Sequence, residues 1–344
     1  MGGPTEMTQA AADVRAAETA TGGPDLGDGQ ARAIEGRSLR QIAWRRLKRD
    51  KGAMAGGIVI LLLILMAFLA PLIVRLWGYP PNSVHPETLD PATQTPIYQF
   101  PFGAFSPDYL MGTDAPLGHD IFSEVVYGAR ISLLVAFGAT LLSVFIGSAL
   151  GLIAGYFGGW VDTVVSRAMD VFLAFPILVF AIALAGVVPD TAFGLSGGTL
   201  RVVMLIVIIG FFNWGYIARV IRGQTLSLRE REFVDAARSL GARGPYILFR
   251  EMLPNLIAPI LIYATLLIPT NILFEAALSF LGVGVQRQPT GEPMVTWGGM
   301  LSEAVHYYTL PHFMFWPGMA IFITVLAFNL FGDGLRDALD PKTR

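Results

Sequence analysis

The sequence contains no cysteine. That excludes disulfides, thiolate metal sites and cysteine nucleophiles at once. Lysine is nearly absent as well: only Lys48, Lys51 and Lys342 occur, and none follows a glycine. A P-loop needs Gly-Lys-Ser/Thr to cradle phosphate, so the chain does not hydrolyse ATP by that route. There is no His-Glu-x-x-His and no Gly-x-Ser-x-Gly elbow. The histidines His85, His119, His306 and His312 are scattered. Pro311 stands between His306 and His312, which argues against a shared helical face for a metal. The residues hold nothing for an enzyme reading to rest on. Charge is scarce too, at 15% of residues, where a soluble domain carries about a quarter.

What is abundant is apolar. Hydrophobic residues make up 53% of the chain and mean hydropathy is +0.56, a membrane-protein composition. A helix needs about 20 apolar residues to cross the hydrocarbon core. Six segments meet that length: 53–74, 131–161, Val171–Pro189, Val202–Ala218, Pro254–Phe280 (interrupted by Glu275) and His312–Phe331. The expected fold is an all-α polytopic membrane protein with six transmembrane helices and both termini on one side.

Cation placement predicts which side. Arg37, Arg40, Arg45, Arg46, Lys48, Arg49 and Lys51 precede the first span. Arg219, Arg222, Arg229, Arg231, Arg238, Arg243 and Arg250 follow the fourth. Arg336, Lys342 and Arg344 follow the sixth. Segment 77–128 has one cation, Arg75, just before it and none before Arg130, but carries Glu87, Asp90, Asp108, Asp114, Asp120 and Glu124. Both termini and the fourth-to-fifth-span loop are therefore expected in the cytoplasm, and 77–128 outside a cell (inner or plasma) membrane.

The expected organisation follows. Residues 1–37, rich in Ala, Gly and Thr without apolar periodicity, read as a disordered cytoplasmic tail. Residues 38–52 interleave Leu39, Ile42, Trp44 and Leu47 with cations, as an amphipathic interfacial helix on anionic lipid would. Residues 53–76 form the first transmembrane helix. Residues 77–128 form an external loop, where prolines such as Pro80, Pro81, Pro86 and Pro91 disfavour helix. Residues 129–340 form a five-helix core with a cytoplasmic loop at 222–253.

That loop is too ordered for a connector. Residues 229–240 are good helix formers with acid first and base last, as the helix dipole favours. Gly241 is placed to end the helix in the left-handed conformation. Gly244 and Pro245 then start a second helix, proline being tolerated in a first turn. Ala236 and Ala237 let another surface approach closely.

At these residues the chain resembles a known family. Asp235-Ala236-Ala237-x3-Gly241, with Leu253-Pro254 following, looks like the "EAA" loop of bacterial ABC import permeases, Asp235 standing for the usual Glu. The resemblance runs from about Arg40 to Pro341 and is closest to the "C" permease of dipeptide and oligopeptide importers. It is carried by Gly112-Thr113-Asp114, by Tyr127-Gly128-Ala129-Arg130-Ile131-Ser132-Leu133 and by Gly155-Tyr156-Phe157-Gly158-Gly159-Trp160. Glu275-Ala276-Ala277-Leu278-Ser279-Phe280-Leu281-Gly282 and Asn329-Leu330-Phe331-Gly332-Asp333-Gly334 carry it further. The resemblance implies a type I importer permease fold. It implies ATPase coupling through Asp235, Ala236, Ala237, Gly241, Leu253 and Pro254, with no cofactor of its own, because ATP is bound by partner ATPase subunits. It implies a heteromeric complex with a paired permease, cytoplasmic ATPases and an external substrate-binding protein, in membrane lipid and without nucleic acid. Di- or oligopeptides are the implied cargo, and nickel chelates, oligosaccharides or glutathione are carried by similar permeases. A channel or secondary transporter independent of ATP is the reading from another class, but no internal repeat supports it.

The sequence departs from that family outside the membrane. Ala115, Pro116 and Leu117 lengthen the gap after Asp114. His119 and Glu124 stand where arginines are usual, and Val285–Val295 is longer than typical. Within the spans, Asn271 and Glu275 are either pore-lining or gate groups or interhelical hydrogen-bond partners. Asp162, Arg167 and Asp170 are expected to pair with each other or with the cytoplasmic loop. Gly147-x3-Gly151-x3-Gly155 predicts close helix packing.

Overall fold

A computed structural model describes residues 39–97, 106–189, 191–285, 287 and 293–339. The expected tail, 1–37, lies outside them. The chain divides into two units, Met1–Gln41 and Ile42–Arg344, and the architecture below is that of the second. Helix α1 spans Leu39–Arg49, α2 Lys51–Trp77, α3 Ile121–Phe157, α4 Gly159–Ala174 and α5 Ile177–Val187. Helix α6 spans Gly197–Arg229 and α7 Glu232–Ser239. Helix α8 runs Gly244–Phe280, α9 Trp297–Ala304 and α10 Pro311–Leu339. The described strands are Thr191–Ala192 and Leu195–Ser196, a two-residue hairpin pair before α6.

Five helices, α2, α3, α6, α8 and α10, are each long and apolar enough to cross a membrane. The third expected span is not one straight helix. Val171–Pro189 falls across α4 and α5, which meet at 79°. The cause is local: Pro176 cannot donate to the helix, and Phe175 before it takes an extended conformation.

Other boundaries also move. Helix α3 starts at Ile121, ten residues before the expected 131 and inside the segment read as external loop. The Asp120 side chain caps it by accepting from Phe122 N, and Glu124 sits in its first turn, where the dipole favours an acid. At 37 residues the helix is about 55 Å long, well beyond the hydrocarbon core of about 30 Å. Helix α6 likewise continues past Ala218 to Arg229. There Arg222 pairs with Asp162, and Arg219 Nη2 reaches Asp170 Oδ1 at 2.7 Å. The helix expected over 229–240 is therefore split: Arg229 ends α6, and α7 begins at Glu232. Helix α8 begins at Gly244, so Pro254 lies within it and does not start it.

Small residues set how closely these helices pack. A Cβ on Gly147, Gly151 or Gly155 of α3 would stand 2.6 Å from Trp214 O, Ala218 O or Thr225 Cβ of α6. The predicted glycine ridge is thus the α3–α6 interface. A Cβ on Gly56 of α2 would lie 2.5 Å from Ala327 O of α10. Leu47 of α1 packs with Ala53 and Ala338, joining the helix start to the end of α10. On α1, Trp44 is exposed with Lys48 Nζ 5.1 Å from its ring centre, the arrangement expected at a headgroup layer. Ile58, Leu61, Leu62, Leu65, Phe68 and Leu72 of α2 are exposed and apolar, a lipid-facing surface.

Candidate functional site

The connection between α6 and α8 is built as a rigid projection. Helix α7 closes in a complete Schellman motif. Ala242 N donates to Ala237 O at 3.0 Å and Gly241 N to Arg238 O at 2.9 Å. Gly241 holds φ +80, the left-handed region expected of it. Ala237 and Ala242, the two residues this motif brings together, pack on one apolar cluster with Val234, Ile247, Leu248 and Met252. Ile217 and Ile221 of α6 belong to the same cluster, so α7 rests on the end of α6. The chain then turns straight into α8, whose second turn, Ile247–Met252, is π-helical.

A brace from α3 fixes the projection. Arg238 lies 5.8 Å over the Tyr156 ring, and Arg229 Nη1 donates to Tyr156 O at 3.4 Å. Asp235 Oδ1 accepts from Arg238 Nη1 at 3.3 Å, so Asp235 and Tyr156 share one arginine. The opposite face is bare. Asp235, Ala236 and Gly241 are exposed, and Leu240 at the tip is 88% exposed. Phe249 and Tyr246, at the start of α8, are also exposed. Exposed apolar residues and the exposed Arg231, Arg238, Arg243 and Arg250 are thus spread over α7 and the start of α8. Of the residues expected to couple, Asp235, Ala236, Ala237 and Gly241 come together here. Leu253 packs on the same apolar cluster, while Pro254 is exposed one helical stretch away. Sequence reasoning missed Leu240, Phe249 and Tyr156. The first two carry a signal, since unpaired large apolar residues among cations mark a contact surface.

Asn271 and Glu275 are both fully buried. Asn271 Nδ2 donates to Thr140 Oγ1 of α3 at 2.8 Å, and its Oδ1 accepts from Asn213 Nδ2 of α6 at 2.8 Å. Glu275 Oε1 accepts from Ser279 Oγ at 2.8 Å. Asn271 thus ties α8 to α3 and α6. The remaining pairings fall as expected: Asp162 meets Arg222, and Asp170 meets Arg219 and Arg167. His306 Nδ1 lies 3.0 Å from Ser302 O, and buried His312 Nε2 lies 3.0 Å from Thr113 O.

A bundle of apolar, membrane-length helices with an exposed helix between two of them defines a polytopic membrane protein. Comparison with known proteins makes the class specific. Residues 147–344 match the model of the binding-protein-dependent transport system inner membrane component. Residues 38–100 match the N-terminal transmembrane domain of oligopeptide transport permease C. A dipeptide transport system permease protein of Alkalihalophilus pseudofirmus is 40% identical, covering 88% of this chain and 90% of that protein. A glutathione transport system permease protein of Pectobacterium atrosepticum is 39% identical over 88% and 90% of the two chains. An oligopeptide transport system permease protein of Haemophilus influenzae is 37% identical over 90% and 91%. A solved chain of the MetNI methionine ABC transporter shares the fold, with a TM-score of 0.51 and 18% identity, covering 64% of this chain and 98% of that one. The chain belongs to the binding-protein-dependent transport system inner membrane component family, as a multi-pass inner-membrane ABC importer permease of the dipeptide/oligopeptide group.

Proposed function

We propose that this permease imports short peptides as one of two paired membrane subunits, and that a separate ATPase subunit seats on α7. The bare face of α7, with Leu240 at its tip, carries the reading: a solvated connector has no use for an exposed leucine on a capped, braced helix. ATP then binds the ATPase partners, and this chain contributes no catalytic group. An external binding protein delivers cargo from the side of segment 77–128. Cation placement supports this topology, with α1, α7 and the end of α10 in the cytoplasm. ATP binding closes the ATPase pair, moves the two α7-type helices and opens the pathway outward; hydrolysis returns it inward.

Leu240→Glu tests the docking directly. The side chain is solvated, so the change leaves the fold intact while placing a carboxylate in an apolar contact. Co-purification of the ATPase subunit should fall by at least about tenfold, the equivalent of about 1.4 kcal/mol, with permease levels unchanged. Undiminished recovery of the ATPase would refute α7 as its seat. For cargo, uptake of a labelled dipeptide by cells depending on this importer separates peptide from glutathione. Glutathione is the second reading because a relative at 39% identity is named for it. Competition by unlabelled dipeptide but not glutathione is expected.

A further inference from the structure

The departures from the family pattern meet at one place, at the opposite end of α3 from α7. Asp114 and His119 lie in the loop before α3, Glu124 in its first turn and Glu303 in the last turn of α9. Asp114, His119 and Glu124 are all buried, and one ligand atom from each lies within 4.8 Å of the others. Asp114 orients the imidazole twice. Its Oδ1 accepts from His119 N at 2.6 Å, and its Oδ2 lies 2.9 Å from His119 Nδ1. Arg287, from the connection between α8 and α9, reaches into the group. Its Nη1 donates to Asp114 Oδ2 at 2.9 Å and rests against His119 Nδ1. Its Nη2 pairs with Glu124 Oε1 and lies 3.0 Å from Glu303 Oε2.

The charges do not balance. When all are ionised, three carboxylates face one guanidinium among the described residues, an excess of two negative charges if the imidazole is neutral. Burial makes such an excess costly, by several kcal/mol per ion. Glu124 is 0% exposed, and its Oε2 has no hydrogen-bond partner among the described residues. A buried, unpartnered carboxylate oxygen calls for a physical account. Its carboxyl group belongs to the cluster in which one ligand atom from each of Asp114, His119 and Glu124 lies within 4.8 Å of the others.

We propose that Asp114, His119 and Glu124 form a binding site for a divalent transition-metal ion, for which the Arg287 guanidinium is a tethered competitor. One imidazole nitrogen with two carboxylate oxygens suits Zn²⁺, Mn²⁺, Co²⁺ or Ni²⁺ over the all-oxygen preference of Ca²⁺ and Mg²⁺. Ligand atoms about 2.1 Å from an ion stand at most about 4 Å apart, so the group closes on one with shifts below about an ångström. The ion needs the space beside Asp114 Oδ2 and His119 Nδ1 that Nη1 fills. Metal entry therefore displaces Arg287 and frees Glu303. A double charge compensates three carboxylates better than the single charge it replaces. Neither the cargo nor the docking of α7 enters this reasoning.

The test uses the purified full-length chain, stripped of metal, titrated with Co²⁺ and followed by its visible absorption, with Zn²⁺ in competition. Arg287→Gln removes the competitor and should bind Co²⁺ at least about tenfold more tightly than the unaltered chain. His119→Ala and Glu124→Gln should each weaken binding by at least about tenfold. Arg287→Lys keeps a cation and should resemble the unaltered chain. No gain in affinity for Arg287→Gln overturns the proposal, even if the ligand variants fail to fold. So does binding that His119→Ala and Glu124→Gln leave unchanged, which would place the ion on the exposed His306 or elsewhere on the surface.

Discussion

Gly241 offers the sharpest probe of α7, because its surroundings isolate a single cause. Nothing lies within 4 Å of where its Cβ would stand, so a side chain there meets no clash. What it meets is backbone strain at φ +80. The left-handed conformation costs a residue with a Cβ about 1–2 kcal/mol. That is a factor of about 5–30 in the population of the Schellman-closed state. The 3.0 Å bond from Ala242 N to Ala237 O depends on that state, and so does the aim of Leu240. Asparagine tolerates the left-handed region better than alanine, and β-branched valine tolerates it least. ATP-dependent uptake, measured with the complete transporter in liposomes, should therefore fall in the order Gly, Asn, Ala, Val. Valine should leave about a tenth of the activity or less, with unchanged membrane insertion and thermal midpoint. Equal activity across the series, or asparagine as poor as valine, would refute the reasoning, since no steric term can reproduce that order here.

Three further outcomes follow from the packing. Gly151→Leu should destabilise the bundle by about 3 kcal/mol or more, because its first side-chain carbon would lie 2.6 Å from Ala218 O; thermal unfolding in detergent checks this, and an unchanged midpoint is incompatible with the observed contact. Asn271→Leu removes partners of Asn213 and Thr140 and should cost about 1–2 kcal/mol, read by the same melt. Asp162→Asn and Arg222→Gln, measured singly and together, should show a coupling of about 0.5–1 kcal/mol in a double-mutant cycle, modest because both side chains keep part of their hydration.

Hydropathy made the helices legible because lipid leaves a chain no other way to satisfy its backbone. Gly241 was legible for an equally local reason: a helix former run, then a glycine, then a second start signal. The glycines of α3 were readable as a ridge, although only the fold shows that Trp214, Ala218 and Thr225 meet them. Charge misled the span limits. Glu124 and Arg130 suggested that the second span starts after them, yet the helix simply outruns the membrane. The bend at Phe175-Pro176 had its signal in the proline, and a hydrophobic count passed over it. Asn271 had two readings because nothing local distinguishes a pore wall from a helix contact; its partners lie 58 and 131 positions away. Arg287 had no local signal at all, since its bond to Asp114 spans 173 positions.

If an ATPase seats on α7 as proposed, the α3–α6 pair would carry its push to a distance. Helix α7 rests on α6 through Val234, Ile217 and Ile221, and is braced to α3 through Tyr156. Helices α3 and α6 touch backbone to backbone at Gly147 and Gly151, and Ser143 Oγ donates to Gly210 O at 2.9 Å nearer the middle. Interlocked surfaces of this kind do not slide by fractions of a turn, because packed contacts are bistable rather than continuously deformable. The pair therefore moves as one body, with Asn271 holding α8 to it. Helix α3 carries that body's motion to Asp120 and Glu124 at its other end. Compliance has to lie where the packing is thinner. The 79° joint between α4 and α5 is such a place: α4 is ion-paired to α6 through Asp162 and Asp170, whereas α5 has no described ion pair, and its Val179, Ile182 and Val187 are exposed. On the proposed mechanism, a rigid α3–α6 body with a hinged neighbour would turn a small displacement at one face into a rotation at the other, the motion that alternating access requires.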